Sequence, residues 1–164
     1  MSSLRSEDET STSGMVDYDR NSIMQRSLVE SHAQQLRRVV GEIGPLDGEF
    51  RIVDYGCGPG QSAIEAVRPA IEAYRAGCPQ GPIAVCHADQ PGNDWNALFA
   101  LAMGPTGYHG EDPAIRTEAA VGSFYERMAP EDSVTLATSF TAVHWLRRAL
   151  HRHTPGAIWF ADLD

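Results

Sequence analysis

The residues best suited to chemistry lie where a β-prone run meets a helix-like run, in the segment VDYGCGPG at positions 53–60. Its three glycines would let the backbone come close to a ligand. Nicotinamide-dinucleotide folds need G-x-G-x-x-G, whereas here the third glycine comes one residue early and Gln61 follows it. Asp54 would repel a pyrophosphate but suits a ligand that carries an ammonium and a sulfonium, as S-adenosylmethionine does. An ordinary glycine-rich turn is the alternative.

A second carboxylate ends the next β-prone run. Residues 82–89 predict a strand whose last residue is Asp89. A carboxylate at that point can accept hydrogen bonds from both hydroxyls of a ribose that lies across the strand ends. Alone, Asp89 could equally be a solvated loop residue. Together with Asp54 and the glycines, it favours an adenosine-binding site.

A parallel sheet is needed to bring these residues together, and the hydrophobic pattern predicts one. Strand-like and helix-like runs alternate, which is typical of an α/β fold with a parallel sheet and flanking helices. Pro69 should kink its helix or start a new turn there. The predicted elements are a helix over 20–41, strands over 50–55, 82–89, 119–123, 133–138 and 157–160, helices on the faces Ile64, Val67, Ile71, Tyr74 and Trp95, Leu98, Phe99, Ala102, and a loop over 104–118.

Composition limits the class of partner. The chain has 164 residues, enough for one domain, and we expect residues 1–17 to form a flexible tail and 18–164 the folded domain. A net charge of -9 argues against nucleic acid and anionic membranes, so a small molecule is the expected partner. Three cysteines without a C-x-x-C pair support neither a disulfide framework nor a zinc site, and a cytoplasmic location is expected. The sequence shows no signal peptide or membrane-spanning run.

Four separated blocks of the sequence carry a family resemblance. The blocks are YDRNSIMQ at 18–25, IVDYGC at 52–57, HADQPGNDWN at 87–96, and GSFY at 122–125 followed by SFTAVHWL at 139–146. Together they resemble the SABATH family of S-adenosylmethionine-dependent methyltransferases, which includes salicylate, jasmonate and benzoate carboxyl methyltransferases and N-methyltransferases of caffeine synthesis. The resemblance implies a Rossmann-like class I methyltransferase fold with S-adenosylmethionine as cofactor.

The resemblance also implies a set of cofactor-binding residues. Ser22 and Asp54 would hold the methionine end and Asp89 the ribose. Gln90 would lie beside the adenosine, while Ser123 and Phe124 would border the adenine. The full predicted set is Ser22, Asp54, Gly56, Gly58, Gly60, Asp89, Gln90, Ser123 and Phe124.

For the acceptor, the resemblance implies that Gln25 and Trp145 hold a carboxylate. Amide and indole N–H groups are both donors, so they can aim a carboxylate without neutralising it. Without the resemblance, Gln25 would be a polar residue on an exposed helix face and Trp145 a core aromatic. A carboxylic acid has a pKa of about 4 and is already a nucleophilic anion at neutral pH, so no general base and no catalytic residue is assigned. In particular, His144 is expected to be structural.

No metal site is predicted either, because His151 and His153 lie near the terminus without a nearby third ligand. Thr141 stands where plant family members carry a substrate-facing tyrosine, which weakens the case for an aromatic acid. A nitrogen acceptor stays open, since the family methylates both oxygen and nitrogen.

Chain length is the main departure from the family. Family members continue beyond position 164 with further strands and a helical cap, so we expect the resemblance to cover about the N-terminal half and the sheet to be truncated. A non-catalytic cofactor-binding or interaction module is therefore the alternative to a methyltransferase. The oligomeric state stays open, with a homodimer as one alternative, because full-length relatives are commonly dimers.

Overall fold

The computed structural model describes residues 23–140 and residue 142, and for residues 23–31 it describes the backbone only. The predicted tail over 1–17 and the predicted strand over 157–160 lie outside this range. The elements are α1 (Ile23–Ile43), β1 (Phe50–Tyr55), α2 (Gln61–Gly77), β2 (Ile83–Asp89), α3 (Trp95–Met103), α4 (Tyr108–Glu111), β3 (Arg116–Val121) and β4 (Leu136–Thr138).

The strands form one parallel sheet in the order β3-β2-β1-β4. This confirms the predicted α/β class. β1 lies between β2 and β4, so the chain leaves it in one direction to build β2 and β3 and later returns to its other side. Ligands of open α/β sheets bind at such a switch point, outside the carboxyl ends of the strands.

The two central strands are buried because their apolar runs meet helices. The ring of Phe50 stacks on Tyr74 of α2, with ring centroids 4.3 Å apart and an interplanar angle of 10°. Ile52 of β1 and Val85 of β2 belong to the same core cluster, together with Val40 from α1. Burying apolar side chains of this kind stabilises the fold by about 1.5–3 kcal/mol each. Packing against α1 and α2 therefore fixes the position of β1, and so it also fixes where the loop after β1 begins.

α2 differs from the expectation at Pro69. The helix runs unbroken from Gln61 to Gly77, with Pro69 inside it, so no new helix starts there. Pro69 is itself buried among the residues that α2 turns toward the sheet. Because that packed face holds the helix on both sides of the proline, the missing backbone donor does not end it.

The third strand corrects two predictions. It spans Arg116–Val121 instead of 119–123, and the supposed loop over 104–118 contains α4 and the beginning of this strand. Ion pairs explain the earlier start: Arg116 contacts Glu49 at 2.8 Å, and Glu118 contacts Arg51 of β1 at 2.6 Å. These charged groups at alternate positions extend the strand where the sequence lacks apolar residues.

The fourth strand is shorter than predicted, since only Leu136–Thr138 is extended in the sheet instead of 133–138. The Ser133 hydroxyl donates to the carbonyl of Pro130 at 2.8 Å, as expected of a turn. Thr135 still contacts β1, because its N–H donates to the carbonyl of Arg51 at 3.0 Å. Within the described residues, no helix is long and apolar enough to span a membrane.

Candidate functional site

The predicted cofactor residues that the structure describes lie at or near the carboxyl edge of the sheet, where hydrogen bonds join the strand ends. The N–H of Gly56, just after β1, donates to the carbonyl of Ala88 in β2 at 2.8 Å. The N–H of Gly122, just after β3, donates to the carbonyl of Asp89 at 2.9 Å. On the other side of β1, the hydroxyl of Ser139 donates to the carbonyl of Tyr55 at 3.0 Å. The loops that leave the strands are thus held next to one another.

Residues 56–60, the glycine loop, connect β1 to α2, and the three glycines in this loop have positive φ angles. The φ angles are 77° at Gly56, 56° at Gly58 and 117° at Gly60, a region that other residues rarely adopt. A Cβ at Gly56 would clash with the Cβ of Ala142, and one at Gly60 would lie 2.9 Å from the Cα of Leu98. At Gly58, by contrast, no described atom lies within 4 Å of such a Cβ. Among the described residues, Gly58 is therefore the part of the loop with open space beside it.

The N–H and the carbonyl of Gly58 are held by two side chains, one at the end of β2 and one in the segment that connects β2 to α3. Its N–H donates to Oδ2 of Asp89 at 2.7 Å, and its carbonyl accepts from Nδ2 of Asn93 at 2.8 Å. Asn93 is buried, and its Oδ1 has no partner among the described residues. The next residue, Asp94, caps α3 by accepting from the N–H of Ala97 at 3.0 Å. The DQPGND stretch thus fixes the glycine loop and starts α3.

Asp89 retains room for a ligand. Its Oδ2 accepts from Gly58, and its Oδ1 accepts from the N–H of Gln90 at 2.7 Å. An ionised carboxylate has about four acceptor positions, so two backbone donors leave about two, one of which the weak thiol donor of Cys57 approaches at 3.8 Å. The side chain is half-buried, and that of Gln90 is exposed. This geometry matches the predicted role of accepting two ribose hydroxyls, which itself remains a prediction.

Asp54 lies deeper than the other predicted residues. Its side chain is 2% exposed, and its Oδ1 accepts from the hydroxyl of Thr138 at 2.9 Å. Its Oδ2 lies 3.7 Å from Nδ1 of His87, a completely buried histidine. In the sheet register, Asp54 stands opposite His87 on β2 and Thr138 on β4. The aspartate is thus the centre of a polar row that crosses the sheet two residues before the glycine loop.

Cys57 is the thiol nearest to this site and stays protonated. Burial raises its pKa, and the nearby carboxylates of Asp54 and Asp89 raise it further. Its Sγ lies 3.8 Å from Oδ2 of Asp89 and 3.7 Å from Nδ2 of Asn93. Because the thiolate is the nucleophilic form, Cys57 acts here as a small packing residue.

The predicted adenine-side residues lie just beyond β3. Ser123 accepts from the N–H of Tyr125 at 3.3 Å, which forms a tight turn. The rings of Phe124 and Tyr125 meet edge to face, with centroids 5.0 Å apart. Since the peptide of Gly122 is bonded to Asp89, this turn is held beside the end of β2.

The remaining predicted residues cannot be located in the same way. Ser22 and Trp145, like His144, His151 and His153, lie outside the described residues. Gln25 belongs to α1, but its side chain is not described. The same helix reaches the end of β4, where the ring of His32 lies 6.4 Å from that of Phe140. Within the described part of the chain, no cluster of metal-ligating side chains occurs.

Sequence reasoning missed Asn93, Thr138, His87 and Ser139 as residues that build this site. Their contacts depend on which strands become neighbours, which no local pattern encodes. One signal was available for Asn93, because Asn-Asp before an apolar run is a typical helix start with side chains free to bond backbone.

Comparison with known proteins assigns the family. The chain matches the family described as SAM-dependent carboxyl methyltransferases over residues 8–154. This match spans most of the chain, and the chain belongs to this family. The resemblance predicted from the four sequence blocks is thereby confirmed.

Individual relatives are similar over parts of their length. The chain is 34% identical over 105 residues to gibberellic acid methyltransferase 2 of Arabidopsis thaliana, covering 59% of this chain and 27% of that protein. It is 26% identical over 143 residues to loganic acid O-methyltransferase of Catharanthus roseus, covering 80% and 37% respectively. It is 32% identical over 103 residues to the probable 7-methylxanthine methyltransferase PCS2 of Camellia ptilophylla, covering 59% and 28%.

A solved structure supports the fold. The loganic acid methyltransferase with SAH superposes with a TM-score of 0.68 at 25% identity, covering 80% of this chain and 39% of that one. The chain therefore spans 27–39% of the length of the relatives named here. The predicted methyltransferase fold is confirmed for the described sheet and helices.

Proposed function

We propose that this chain binds S-adenosylmethionine at the carboxyl edge of its sheet and takes part in methylation of the carboxylate of a small organic acid. The observation that carries the proposal is the pair of hydrogen bonds by which Asp89 and Asn93 hold Gly58. It occurs in a chain that belongs to the carboxyl methyltransferase family. These two hydrogen bonds leave oxygen lone pairs of Asp89 free to accept from a ligand. Among the described residues, they also leave open space beside Gly58.

The described residues fit such a cofactor in three respects. Asp89 has about two acceptor positions left for ribose hydroxyls. A Cβ added at Gly58 would meet no described atom within 4 Å, so a ligand can approach the backbone there. The buried Oδ1 of Asn93 lacks a partner among the described residues, and buried acceptors are rarely left unpaired. Asp54, Ser22, Gln90, Ser123 and Phe124 complete the proposed set.

Positioning would supply the rate. When bound, S-adenosylmethionine provides a methyl group activated by its sulfonium. The acceptor is already ionised at neutral pH, because carboxylic acids have a pKa of about 4, so the chain does not have to remove a proton. Gln25 and Trp145 would donate hydrogen bonds to one carboxylate oxygen and aim the other at the methyl group. Orientation in line with the sulfur and exclusion of water would then lower the barrier to direct displacement.

A nitrogen acceptor is the second candidate. It is favoured by the similarity to a protein named as a probable 7-methylxanthine methyltransferase. Amide and indole donors would suit the oxygen atoms of a xanthine as well as a carboxylate. The acceptor class therefore has to be tested with both kinds of compound.

Transfer of a labelled methyl group tests the proposed activity. The purified chain is incubated with labelled S-adenosylmethionine and separate panels of small carboxylic acids and xanthines. Product with the acids supports the proposal, product with xanthines alone supports the second candidate, and binding of the cofactor without transfer to either would reduce the function to a cofactor-binding module.

Two matched pairs of variants separate the roles. Asp89→Ala should abolish binding of S-adenosylhomocysteine, whereas Asp47→Ala, at an exposed site before the amino end of β1, should not change it. Gln25→Ala should keep cofactor binding and lose methyl transfer, whereas Gln34→Ala, at an exposed position of the same helix, should keep both. Unchanged cofactor binding in Asp89→Ala would contradict the proposed site.

A further inference from the structure

Four buried side chains form a polar row across the sheet, in the register of Asp54, two residues before the glycine loop begins. Thr138, Asp54, His87 and Tyr108 are 6%, 2%, 0% and 2% exposed, respectively. The first three share one register of three adjacent strands, β4, β1 and β2. Tyr108 approaches from α4, where its hydroxyl lies 3.0 Å from Nε2 of His87. We refer to these residues as the buried polar row.

One tautomer of His87 makes every contact in the row favourable. Thr138 donates to Oδ1 of Asp54. A carboxylate can only accept, so the contact between Oδ2 and Nδ1 of His87 is favourable when Nδ1 carries the proton. In that tautomer Nε2 is an acceptor, which the hydroxyl of Tyr108, 3.0 Å away, can satisfy by donating. This single tautomer directs donors toward Asp54 from both neighbouring strands.

One donor in the row is not used by the described residues. The 3.7 Å between Nδ1 of His87 and Oδ2 of Asp54 exceeds a hydrogen bond, and Nδ1 has no partner in the described part of the chain. A fully buried N–H without a partner is unfavourable, and a small movement of the carboxylate would satisfy it. Hydrogen bonds at functional sites are often long until the ligand is bound.

Packing alone does not account for an imidazole at this position. Ile52 and Val85, two residues earlier on β1 and β2, occupy the same face of the sheet and are apolar members of the core. An aliphatic residue at position 87 would continue that core and remove the unpaired Nδ1, although the buried hydroxyl of Tyr108 would then lose its partner. Pairing with Tyr108 uses only Nε2, so Nδ1 is the atom that still lacks a role, and the carboxylate of Asp54 is the group that it faces.

We infer that His87, held in one tautomer by Tyr108, is a positioning residue that orients the carboxylate of Asp54 toward the ammonium of the amino-acid end of the cofactor. The inference rests on the proposed function, in which Asp54 binds that end. Because Asp54 is almost completely buried, its orientation decides whether a ligand can reach an oxygen. A neutral donor orients the carboxylate without cancelling the charge that attracts the ammonium.

A pair of ligands tests the inference. S-adenosylhomocysteine carries the amino-acid end, whereas methylthioadenosine keeps the adenosine and lacks that end. In His87→Leu, the Kd for S-adenosylhomocysteine should rise about tenfold while the Kd for methylthioadenosine changes less than about twofold. A merely structural role of His87 would weaken both ligands alike, so the ratio of the two constants is the decisive quantity.

Three further variants complete the experiment. His87→Asn keeps a side-chain N–H near the position of Nδ1 and should restore most of the affinity for S-adenosylhomocysteine. Tyr108→Phe removes the donor that selects the tautomer and should shift the ratio in the same direction as His87→Leu, which keeps the test valid if the leucine variant does not fold. His109→Leu is the control, because the ring of His109 contacts the carbonyl of Ile115 instead, at 2.7 Å, and the ratio should stay unchanged.

The outcomes separate the two proposals. Binding of both ligands by the unmodified chain, with no change of the ratio in His87→Leu or Tyr108→Phe, would overturn the role of His87 and leave the proposed function standing. Failure of the unmodified, folded chain to bind either ligand would overturn both.

Discussion

At the scale of single residues, Asn93 holds the glycine loop in its conformation through a side-chain hydrogen bond to the loop backbone. Its amide donates to the carbonyl of Gly58 from a buried position. Asp89 holds the other side of the same residue. The loop is therefore held by two side chains, one at the end of β2 and one just after it, and losing either should change the conformation that the loop presents to a ligand.

Replacement of Asn93 by alanine tests this contact. Losing the hydrogen bond from Nδ2 to Gly58 should lower the free energy of unfolding by about 1 kcal/mol. Losing the acceptor Oδ1, which the proposal leaves to the ligand, should separately raise the Kd for S-adenosylhomocysteine roughly fivefold. Calorimetric titration and urea unfolding measure the two quantities. Asn96→Ala, at an exposed position of α3, is the matched control and should change stability by less than about 0.5 kcal/mol. Equal affinity in both variants would contradict the role of Asn93.

The sequence makes the charged residues at this edge easier to find than the neutral ones. Asp54 and Asp89 stand out because each lies at or next to the end of a β-prone run, and the structure places both at the carboxyl edge of the sheet. Their roles in binding the cofactor stay predictions. His87 and Thr138 could not be identified, since their importance comes from standing opposite Asp54 in neighbouring strands. Register of this kind is a property of the assembled sheet and leaves no local pattern.

At the scale of elements, the apolar and the polar strands behaved differently. β1 spans the predicted residues 50–55 and β2 begins one residue after the predicted start, because both have continuous apolar runs that fill the centre of the sheet. The start of β3 was not predicted because ion pairs, instead of apolar side chains, stabilise its first half. α4 has only four residues, YHGE, and depends on the burial of Tyr108.

The junction between the glycine loop and α2 gives a test at this scale. In Gly60→Ala, the φ of 117° and a contact of 2.9 Å with the Cα of Leu98 both oppose the new side chain. The free energy of unfolding should fall by about 2 kcal/mol or more. Gly58→Ala has the unfavourable φ without a clash among the described residues, so a loss of about 1 kcal/mol is expected.

Gly77→Ala is the control for these two variants. Gly77 has neither a positive φ nor a described atom within 4 Å of a new Cβ, and alanine at the end of α2 should be neutral or slightly stabilising. Chemical denaturation of the three variants gives the order. A larger loss in Gly58→Ala than in Gly60→Ala would contradict the described close approach of the loop to α3.

At the scale of the whole molecule, carboxylates paired with arginines make stability depend on pH. The hydrogen bond from Arg75 holds the pKa of Asp112 below its ordinary value of 3.8. Burial opposes ionisation of Glu118, but hydrogen bonds from Arg51 and Arg116 outweigh it and hold the pKa of Glu118 below 4.5. Both groups bind protons more weakly in the folded chain than in the unfolded chain.

The sign of the pH dependence follows from these shifts. A carboxylate with a lowered folded pKa stabilises the fold fully above its unfolded pKa, and this contribution disappears as pH falls through the folded pKa. The free energy of unfolding should therefore decline as pH drops below about 4.5. Urea unfolding across this range measures the decline, and Asp112→Asn should make it shallower. A stability that rises on acidification would contradict the ion pairs.

The central claim is that the carboxyl edge of this sheet binds S-adenosylmethionine. Calorimetric titration of the purified chain with S-adenosylmethionine, with S-adenosylhomocysteine and with NAD as a control tests it most directly, because no acceptor has to be known. The account predicts saturable binding of the two sulfur nucleosides and none of NAD. A demonstrably folded chain that binds neither sulfur nucleoside, or binds NAD equally well, would contradict it.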